Sequence, residues 1–548
     1  MLHRAPDYMR LRAGFSWRIP EYYNIADDIC DRHAAYSGSP ALIVVERGGQ
    51  VAVHTFDDVR RQSNRLANVL LAHGARRTDR LAILLPQAPE TLFAHVAAFK
   101  AGLVSVPLFS LFGADALEYR LANSGARFLV TDEAGLLKIE PLRGRLPELR
   151  LVLVIGDPRS YGAGTESFTE TLARASDRFV NVRTRAEDPA LIIYTSGTTG
   201  NPRGALHAHR VLLGHLPGVE LSHDFFPQAG DVAWTPADWA WIGGLLDILL
   251  PSLHHGIPVV AYRARKFDPE EAYWLMASRR IRNVFLPPTA LKLMRQADAR
   301  ALGAHRIRSV ASGGEPLGDD LLEWGRRTFG VTINEFYGQT ECNMVVCNDA
   351  ELFAVKPGSM GRAVPGHDVR VVDETGNPVA TGATGMLGIR RPDPVMFLGY
   401  WRDDAATTAK YAGDFLLTGD HGREDEDGYL WFEGRSDDLI TSAGYRIGPV
   451  EIEECLLKHP AVAIAAVVGV PDPVRTQLVK AVIVLGAGAV ASPELAREIQ
   501  EFVKLRLAAH EYPRIVEFVA ELPLTISGKI MRRELRAKHA APSDATAR

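Results

Sequence analysis

The chain has 548 residues, enough for several domains with ample core. A hydrophobic share of 47%, a charged share of 23% and a net charge of −4 describe an ordinary soluble globular protein and indicate no polyanion partner such as nucleic acid. No apolar run reaches the length of a membrane span, and the four cysteines (Cys30, Cys342, Cys347, Cys455) are too sparse for a disulfide framework and lack zinc spacing, which predicts reduced thiols in a cytoplasmic protein. In chain order, the N-terminus has no apolar core region or small-residue cleavage site, so no signal peptide is expected. A helical pattern over 23–33 precedes a strand over 40–45, which pairs with 51–56 across Gly48 and Gly49. Apolar residues at helical spacing predict a helix over 56–73, stopped by Gly74. Strands follow at 80–86, 103–108, 128–131 and 151–155, with an apolar helix at 90–102. Such alternation implies parallel sheets covered by helices.

Ala190-Leu191-Ile192-Ile193-Tyr194 reads as a buried strand. It runs into Thr195-Ser196-Gly197-Thr198-Thr199-Gly200-Asn201-Pro202-Arg203-Gly204. Glycines let the backbone approach a ligand closely, and successive N–H groups with Ser and Thr hydroxyls form an anion site. Arg203 adds a fixed charge that forks onto phosphate oxygens. A polyphosphate clamp is one reading; a surface turn rich in Gly and Thr is the other. No window fits a Walker A loop. Beyond it come strands at 231–236, 257–261 and 283–289, an apolar helix at 241–253, and a strand at 307–311 leading into Ser312-Gly313-Gly314-Glu315-Pro316.

In Asn334-Glu335-Phe336-Tyr337-Gly338-Gln339-Thr340-Glu341, Tyr337 offers a face for stacking a purine, and Thr340 can donate to a phosphate oxygen. Glu341 is a hard oxygen ligand suited to Mg²⁺. Short alternating strands over 366–391 predict an antiparallel β subdomain. Asp420 closes a strand and is placed to accept ribose hydroxyl protons, and Arg435 is a candidate for ribose or phosphate contact; a salt-bridged loop is the alternative. After a break near 434–438 the chain restarts as a small α+β domain, with helices at 449–459 and 493–508 and strands at 463–470, 478–485 and 515–519. Gly486-Ala487-Gly488 after a strand superficially matches a dinucleotide fingerprint, but Ser492-Pro493 reads as the cap and first residue of the next helix, so those glycines lie in a loop.

These motifs, in this order, resemble the adenylate-forming superfamily (acyl-CoA synthetases, luciferases, peptide-synthetase adenylation domains), over about residues 190–536. The family usually carries Lys where Arg203 stands. The resemblance implies a large N-terminal domain (1–436) of helix-covered parallel sheets with a small β subdomain, a mobile C-terminal α+β domain (437–535) and a tail at 536–548. It implies ATP or AMP binding by Thr195, Ser196, Gly197, Thr198, Thr199, Gly200, Arg203, Gly314, Glu315, Pro316, Glu335, Phe336, Tyr337, Gly338, Asp420 and Arg435, with Thr340 and Glu341 acting on phosphate and Mg²⁺. It makes Asp437 the hinge, and Gly444, Tyr445 and Arg446 the wall of a coenzyme A channel. Lys529, in Ser527-Gly528-Lys529 and among the basic residues Arg532, Arg533 and Arg536, would meet the substrate carboxylate and the α-phosphate, and the surrounding pattern resembles sites of reversible acetylation by a lysine acetyltransferase and deacetylase.

The implied activity is formation of an acyl-adenylate and then an acyl-CoA. The stretches 356–361 and 442–449 resemble medium-chain acyl-CoA synthetases and their acetyl-CoA synthetase relatives. The acyl pocket would be lined by Trp239, Trp241, Ile242, Gly243 and Gly338. Acetate-specific relatives carry Trp where Gly338 stands, so an aliphatic acid longer than acetate, short to medium and possibly branched, is the expectation. A benzoate-type acid, or transfer to a carrier-protein thiol, is the alternative.

Overall fold

The computed structural model describes residues 1–35, 38–46, 48–156, 162, 164–195, 201–264, 266–435, 438, 440–442, 445–472, 475–507, 512–525 and 529–540; of 301, 441, 445, 446, 451, 539 and 540 it describes the backbone alone. The chain forms two compact units, one of residues 1–368 with 390–410 and the other of 369–389 with 411–548.

In the first unit, the strands predicted from alternation form two sheets. One runs in the order Thr165–Ser167, Leu151–Ile155, Phe128–Asp132, Arg80–Leu84, Val104–Pro107, Pro189–Thr195, Arg203–Ala208 and Gly399–Tyr400. Its interior pairs are parallel and its last two are antiparallel. The glycine-rich loop therefore joins two antiparallel strands at one side of a parallel sheet, a turn of direction that βαβ alternation alone did not predict. The other sheet is parallel from Ile333–Gln339 through Ser309–Gly313, Asn283–Phe285, Ala233–Trp234 and Val259–Tyr262 to Pro40–Val45. It is flanked by antiparallel Val51–Thr55, Cys342–Cys347 and Ser359–Ala363.

Apolar strand runs of this kind are buried on both faces, as parallel sheets require. Helix Phe56–Ala72 starts where expected because Thr55 and Asp58 form a reciprocal capping box. Helix Val211–Ser222 is buried at every position, so it is enclosed on all sides rather than amphipathic. Its glycines allow that: a Cβ on Gly218 would lie 2.5 Å from Met344 Cβ, and one on Gly214 2.6 Å from the Val395 backbone nitrogen. The apolar stretch expected as one helix at 241–253 is helical from Ile242 to His254, with a π-helical turn at Leu245–Leu249. Among the described residues no helix is long and apolar enough to cross a membrane. The four cysteines are buried and form no disulfide with one another.

The second unit holds two sheets. Val369–Val372, Gly385–Arg390, Phe415–Glu424 and Leu430–Arg435 form the antiparallel β subdomain. Val462–Asp472 and Thr476–Leu485 form a long hairpin, joined by Ile440–Ser442, Tyr445–Ile447 and the parallel strand Ile515–Phe518. Ser492 caps helix Pro493–Lys504, accepting from Leu495 N at 3.1 Å, so the glycines at 486 and 488 precede the cap as read. At 536, where a tail is expected, the described chain is helical. Helix Arg532–Ala540 runs through that boundary because Leu535 is buried and Arg536 is ion-paired; residues 541–548 lie outside the described set.

One buried carboxyl makes stability pH-dependent. Burial, then the nearby Asp349 charge, pushes Asp224 up to about 7, and Asn334 Nδ2 donates to it at 2.8 Å. A carboxyl whose pKa is raised by folding adds stability that is complete below its unfolded value and is lost as pH rises toward the folded one. The apparent melting temperature should therefore fall from about pH 4 to pH 7. Asp224→Asn keeps the acceptor, so the difference between variant and parent should favour the variant increasingly across that range, as measured by calorimetry at pH 5 and 8.

Candidate active site

The first unit brings several predicted site residues together. Thr195 and Arg203 face each other in register at the mouth of the antiparallel pair, with Thr195 Oγ1 donating to the Arg203 carbonyl at 3.4 Å. Ser196, Gly197, Thr198, Thr199 and Gly200 lie outside the described residues. Arg203 is partly exposed, as a phosphate ligand must be; its guanidinium lies 3.4 Å from Asp403 and 5.5 Å from the centre of the Tyr400 ring. The Tyr400 hydroxyl donates to Glu341 Oε1. Burial, and next the Glu341 charge, raise the Tyr400 pKa far above the phenol range, so the proton stays on the phenol and the carboxylate stays the acceptor. Phe397 N donates to the Glu341 carbonyl at 2.9 Å, and Thr407 Oγ1 accepts from Tyr400 N at 2.8 Å. One tyrosine thus joins the candidate metal ligand to the candidate phosphate cation. Tyr400 and Asp403 were not read from the sequence: Tyr400 lies 59 residues beyond Glu341, in a two-residue strand with no periodic signal.

The two nucleotide motifs are also neighbours. Strand Ser309–Gly313 pairs in parallel with Ile333–Gln339, matching Ser312 with Glu335 and Gly313 with Phe336. Gly314 has φ +96°, and a Cβ on Gly313 would lie 2.5 Å from the Phe336 ring, so backbone and ring lie flat against each other there. Glu335 accepts from Leu317 N at 3.3 Å, and Glu315 accepts from Thr289 Oγ1 at 3.2 Å, which pin the turn through Pro316. Thr340 ends the motif before Glu341, both at the tip of the hairpin between Ile333–Gln339 and Cys342–Cys347.

Beside this lies an aromatic wall. Trp241 packs 5.6 Å from Phe285, which packs 5.2 Å from Phe336; Trp239 and Ile242 are buried close by in sequence. A Cβ on Gly243 would meet the Trp241 ring at 2.7 Å. Gly338 does not simply leave space. A Cβ there would lie 2.3 Å from Asn343 Oδ1 and 2.7 Å from Asn343 Cα. Asn343 in turn donates to Asp247 Oδ1 at 2.6 Å, on the π-helical turn. Burial raises the Asp247 pKa well above the usual carboxylate range, with the bond from Asn343 acting in the opposite direction. Asp247 and Asn343 were missed because a buried Asp in an apolar helix carries no motif.

In the second unit, Asp420 and Arg435 stand opposite each other in the ladder, with Arg435 Nε 3.6 Å from Asp420 Oδ1. Asp420 does not close its strand as expected: Phe415–Glu424 runs on through it, with Gly419 at φ +81° and Thr418 Oγ1 accepting from Asp420 N at 3.1 Å. Asp437 and Gly444 fall outside the described residues; Tyr445 and Arg446 lie in strand Tyr445–Ile447, their side chains outside the described set. Lys529 is exposed and backs onto Thr525, while residues 526–528 between them lie outside the described set: Thr525 N donates to the Lys529 carbonyl at 2.7 Å, and Lys529 N donates to Thr525 Oγ1 at 3.0 Å. Arg532 and Arg536, read from sequence as a basic surround for Lys529, bond instead to Asp438 and Glu453.

Two sheets, an antiparallel pair ending at Thr195 and Arg203, and a Tyr–Gly–Gln–Thr–Glu strand end are the frame against which the comparisons with known proteins are made. The model of the AMP-binding enzyme family matches residues 30–401, and that of the AMP-binding enzyme C-terminal domain matches 451–529. The chain therefore belongs to the AMP-binding enzyme family, and it is an AMP-forming acid–thiol ligase that uses ATP, Mg²⁺ and coenzyme A. It is similar to human acyl-coenzyme A synthetase ACSM2B, mitochondrial, at 36% identity over 536 residues, covering 95% of this chain and 91% of that one. Among solved structures it is similar to a Brucella canis acyl-CoA synthetase (TM-score 0.76, 35% identity, 98% of this chain and 99% of that one). It is also similar to the anthranilate CoA ligase AuaEII in complex with anthranoyl-AMP (TM-score 0.86, 28% identity, 95% and 98%).

Mg²⁺ fits the donors present. Glu341 offers one buried hard carboxylate, and the described residues hold no cluster of three or more His, Cys, Asp or Glu. That suits a cation held by one carboxylate and by substrate phosphates rather than by a protein cage. Tyr400→Phe should weaken Mg²⁺-dependent ATP binding about 10-fold, the scale of a lost supporting bond to a metal ligand, with metal-free ATP binding unchanged in equilibrium dialysis. Gly338→Ala must push the Asn343 backbone aside; it should lower AMP release at least about 10-fold, and a chromatographic AMP assay beside a melting curve separates this from unfolding.

Proposed function

We propose that the enzyme activates an aliphatic carboxylic acid longer than acetate, of short to medium chain length, and passes it to coenzyme A. The observation that carries this reading is the junction of Arg203, Tyr400 and Glu341 at the tip of the strand bearing Tyr337, with the Trp241–Phe285–Phe336 wall alongside. In the first step a substrate carboxylate oxygen bonds to the α-phosphorus, the bond from that phosphorus to the bridging oxygen breaks, and pyrophosphate leaves. In the second, the coenzyme A sulfur bonds to the acyl carbon, the bond to AMP breaks, and the thiol proton passes to solvent. Neither step needs a protein nucleophile, so positioning and charge neutralisation carry the catalysis.

Arg203 and the loop 195–200 hold the triphosphate, Gly314 to Pro316 and Tyr337 the base, and Asp420 and Arg435 the ribose. Mg²⁺, held by Glu341, supplies charge neutralisation on the phosphates. Lys529 bridges the acid and the α-phosphate in the first step. In the second, rotation about Asp437 withdraws it and brings Gly444, Tyr445 and Arg446 to the thiol arm, with the moving boundary between 436 and 437. Acetylation of Lys529 removes its charge and stops adenylation alone; an acetylated enzyme that still exchanges pyrophosphate into ATP would refute this. A cytoplasmic setting belongs to the same proposal and is supported by four buried cysteines without disulfides.

The aromatic wall, and the anthranoyl-AMP in the related ligase, favour one second reading: a flat aromatic acid stacked on Trp241 and Phe285. AMP release with ATP, Mg²⁺ and coenzyme A across acetate, propionate, isobutyrate, hexanoate, octanoate and benzoate decides between them. An optimum among the aliphatic acids beyond acetate supports the first reading, and a benzoate optimum replaces it with the second. Lys529→Ala should lower adenylation by about 10²–10³-fold, the scale of losing one transition-state donor, while conversion of preformed acyl-adenylate to thioester persists.

A further inference from the structure

Lys529 can act only if its hairpin follows the hinge faithfully, and the second unit contains the connection. Asp438 is the residue after the hinge position. Its backbone N–H donates to the Arg435 carbonyl at 3.0 Å, across the break predicted from sequence. Its carboxylate, nine-tenths buried, accepts from Arg536 Nη1 at 2.6 Å and lies 3.7 Å from Arg532 Nη1. Arg532 is held from its other side by Glu453, with Nη2 donating to Oε1 and Oε2 at 2.8 and 2.6 Å and Nε to Oε1 at 3.2 Å. Glu453, on helix Pro449–Leu457, also accepts from Val467 N at 2.7 Å, in strand Val462–Asp472.

Between Lys529 and Arg532 stand only Ile530 and Met531, both fixed: Ile530 bridges to Leu524, and Met531 N donates to the Pro523 carbonyl at 2.9 Å. Leu535, one turn on, packs with Ala466, Val468 and Val482. The base of the Lys529 hairpin is thus bolted to the hinge-adjacent carboxylate, to a helix and to the central hairpin of the sheet. Buried, forked Arg–carboxylate bonds have fixed geometry, and removing one partner strands the others. On the opposite side of the break, Arg435 is tied in the ladder to Asp420. Fixed groups therefore flank the hinge on both sides.

We propose that Asp438 is a positioning residue for adenylation: with Arg532, Arg536 and Glu453 it locks the Lys529 hairpin to the hinge, so that hinge rotation is delivered to the lysine instead of being dissipated. The proposal rests on the reading of Lys529 given above. It makes Asp438 specific to the first half-reaction, although Asp438 touches neither substrate nor nucleotide in that reading.

The test uses the full-length enzyme with Asp438→Ala, Arg536→Gln as a milder cut of the same lock, Lys529→Ala, and the Asp438→Ala/Lys529→Ala double variant. Adenylation is read as pyrophosphate–ATP exchange, and the second step as thioester formed from synthetic acyl-adenylate and coenzyme A. Asp438→Ala should lower the exchange kcat at least about 10-fold with the KM for ATP nearly unchanged, and Arg536→Gln should do so less severely. Thioester formation should fall less than about three-fold, and the double variant should be no slower in exchange than Lys529→Ala. Amide hydrogen exchange in 523–531 should quicken in Asp438→Ala. Unchanged exchange in Asp438→Ala and Arg536→Gln would overturn the proposal, as would equal losses in both steps with an additive double variant, which would mark a merely structural role. If Lys529→Ala itself kept full exchange, the reading of Lys529 would fall first, and the proposal with it.

Discussion

A carboxylate and a triphosphate repel each other, and adenylation requires a carboxylate oxygen to reach the α-phosphorus. For unit charges 4 Å apart near a protein surface the repulsion is about 4 kcal/mol, and the triphosphate carries several charges. The structure is arranged around that obstacle. Arg203 stands at the end of a sheet strand, where its backbone is fixed by the ladder to Thr195. Glu341 stands at a hairpin tip, buried, with Tyr400 donating to it. Because the Tyr400 ring also lies beneath Arg203, one aromatic side chain fixes the spacing between a cation and a carboxylate, the candidate metal ligand, that would otherwise attract each other directly. Asp403 holds the guanidinium from another side while leaving it partly exposed.

The enclosing fold serves this spacing. Helix Val211–Ser222 can approach the strand carrying Met344 closely because Gly218 lacks a side chain, and the backbone at Val395 because Gly214 does; the Met344 strand begins directly after Glu341. Asn343, on that strand, donates to the buried Asp247 and itself occupies the position a side chain at 338 would need. Phe336 of the aromatic wall and Glu341, the candidate metal ligand, thus share one hairpin, so a change at 338 bears on both.

Much of this was legible in the sequence, and the remainder has identifiable causes. Local chemistry was readable: the start of the helix at Phe56, the Ser492-Pro493 helix start that disposed of the false dinucleotide fingerprint, and the alternation that produced two largely parallel sheets. The motifs at 312–316 and 334–341 prove to be adjacent strands in register. Groups that work through distant partners were not readable. Tyr400 has meaning only through Glu341 and Arg203, and Asp247 only through Asn343. Arg532 and Arg536 look in sequence like a basic surround for Lys529, yet their charges are matched by Asp438 and Glu453. Charge in a sequence shows sign but not partner.

The central claim is that the acid attacks the α-phosphorus, so an oxygen of the acid must end on AMP. The most direct measurement supplies the preferred acid with both carboxylate oxygens as ¹⁸O and analyses the AMP, pyrophosphate and thioester by mass spectrometry. The account predicts AMP carrying a single acid-derived oxygen, unlabelled pyrophosphate, and a thioester retaining the other label. Unlabelled AMP with ¹⁸O in phosphate or pyrophosphate would show attack at a different phosphorus and would contradict it.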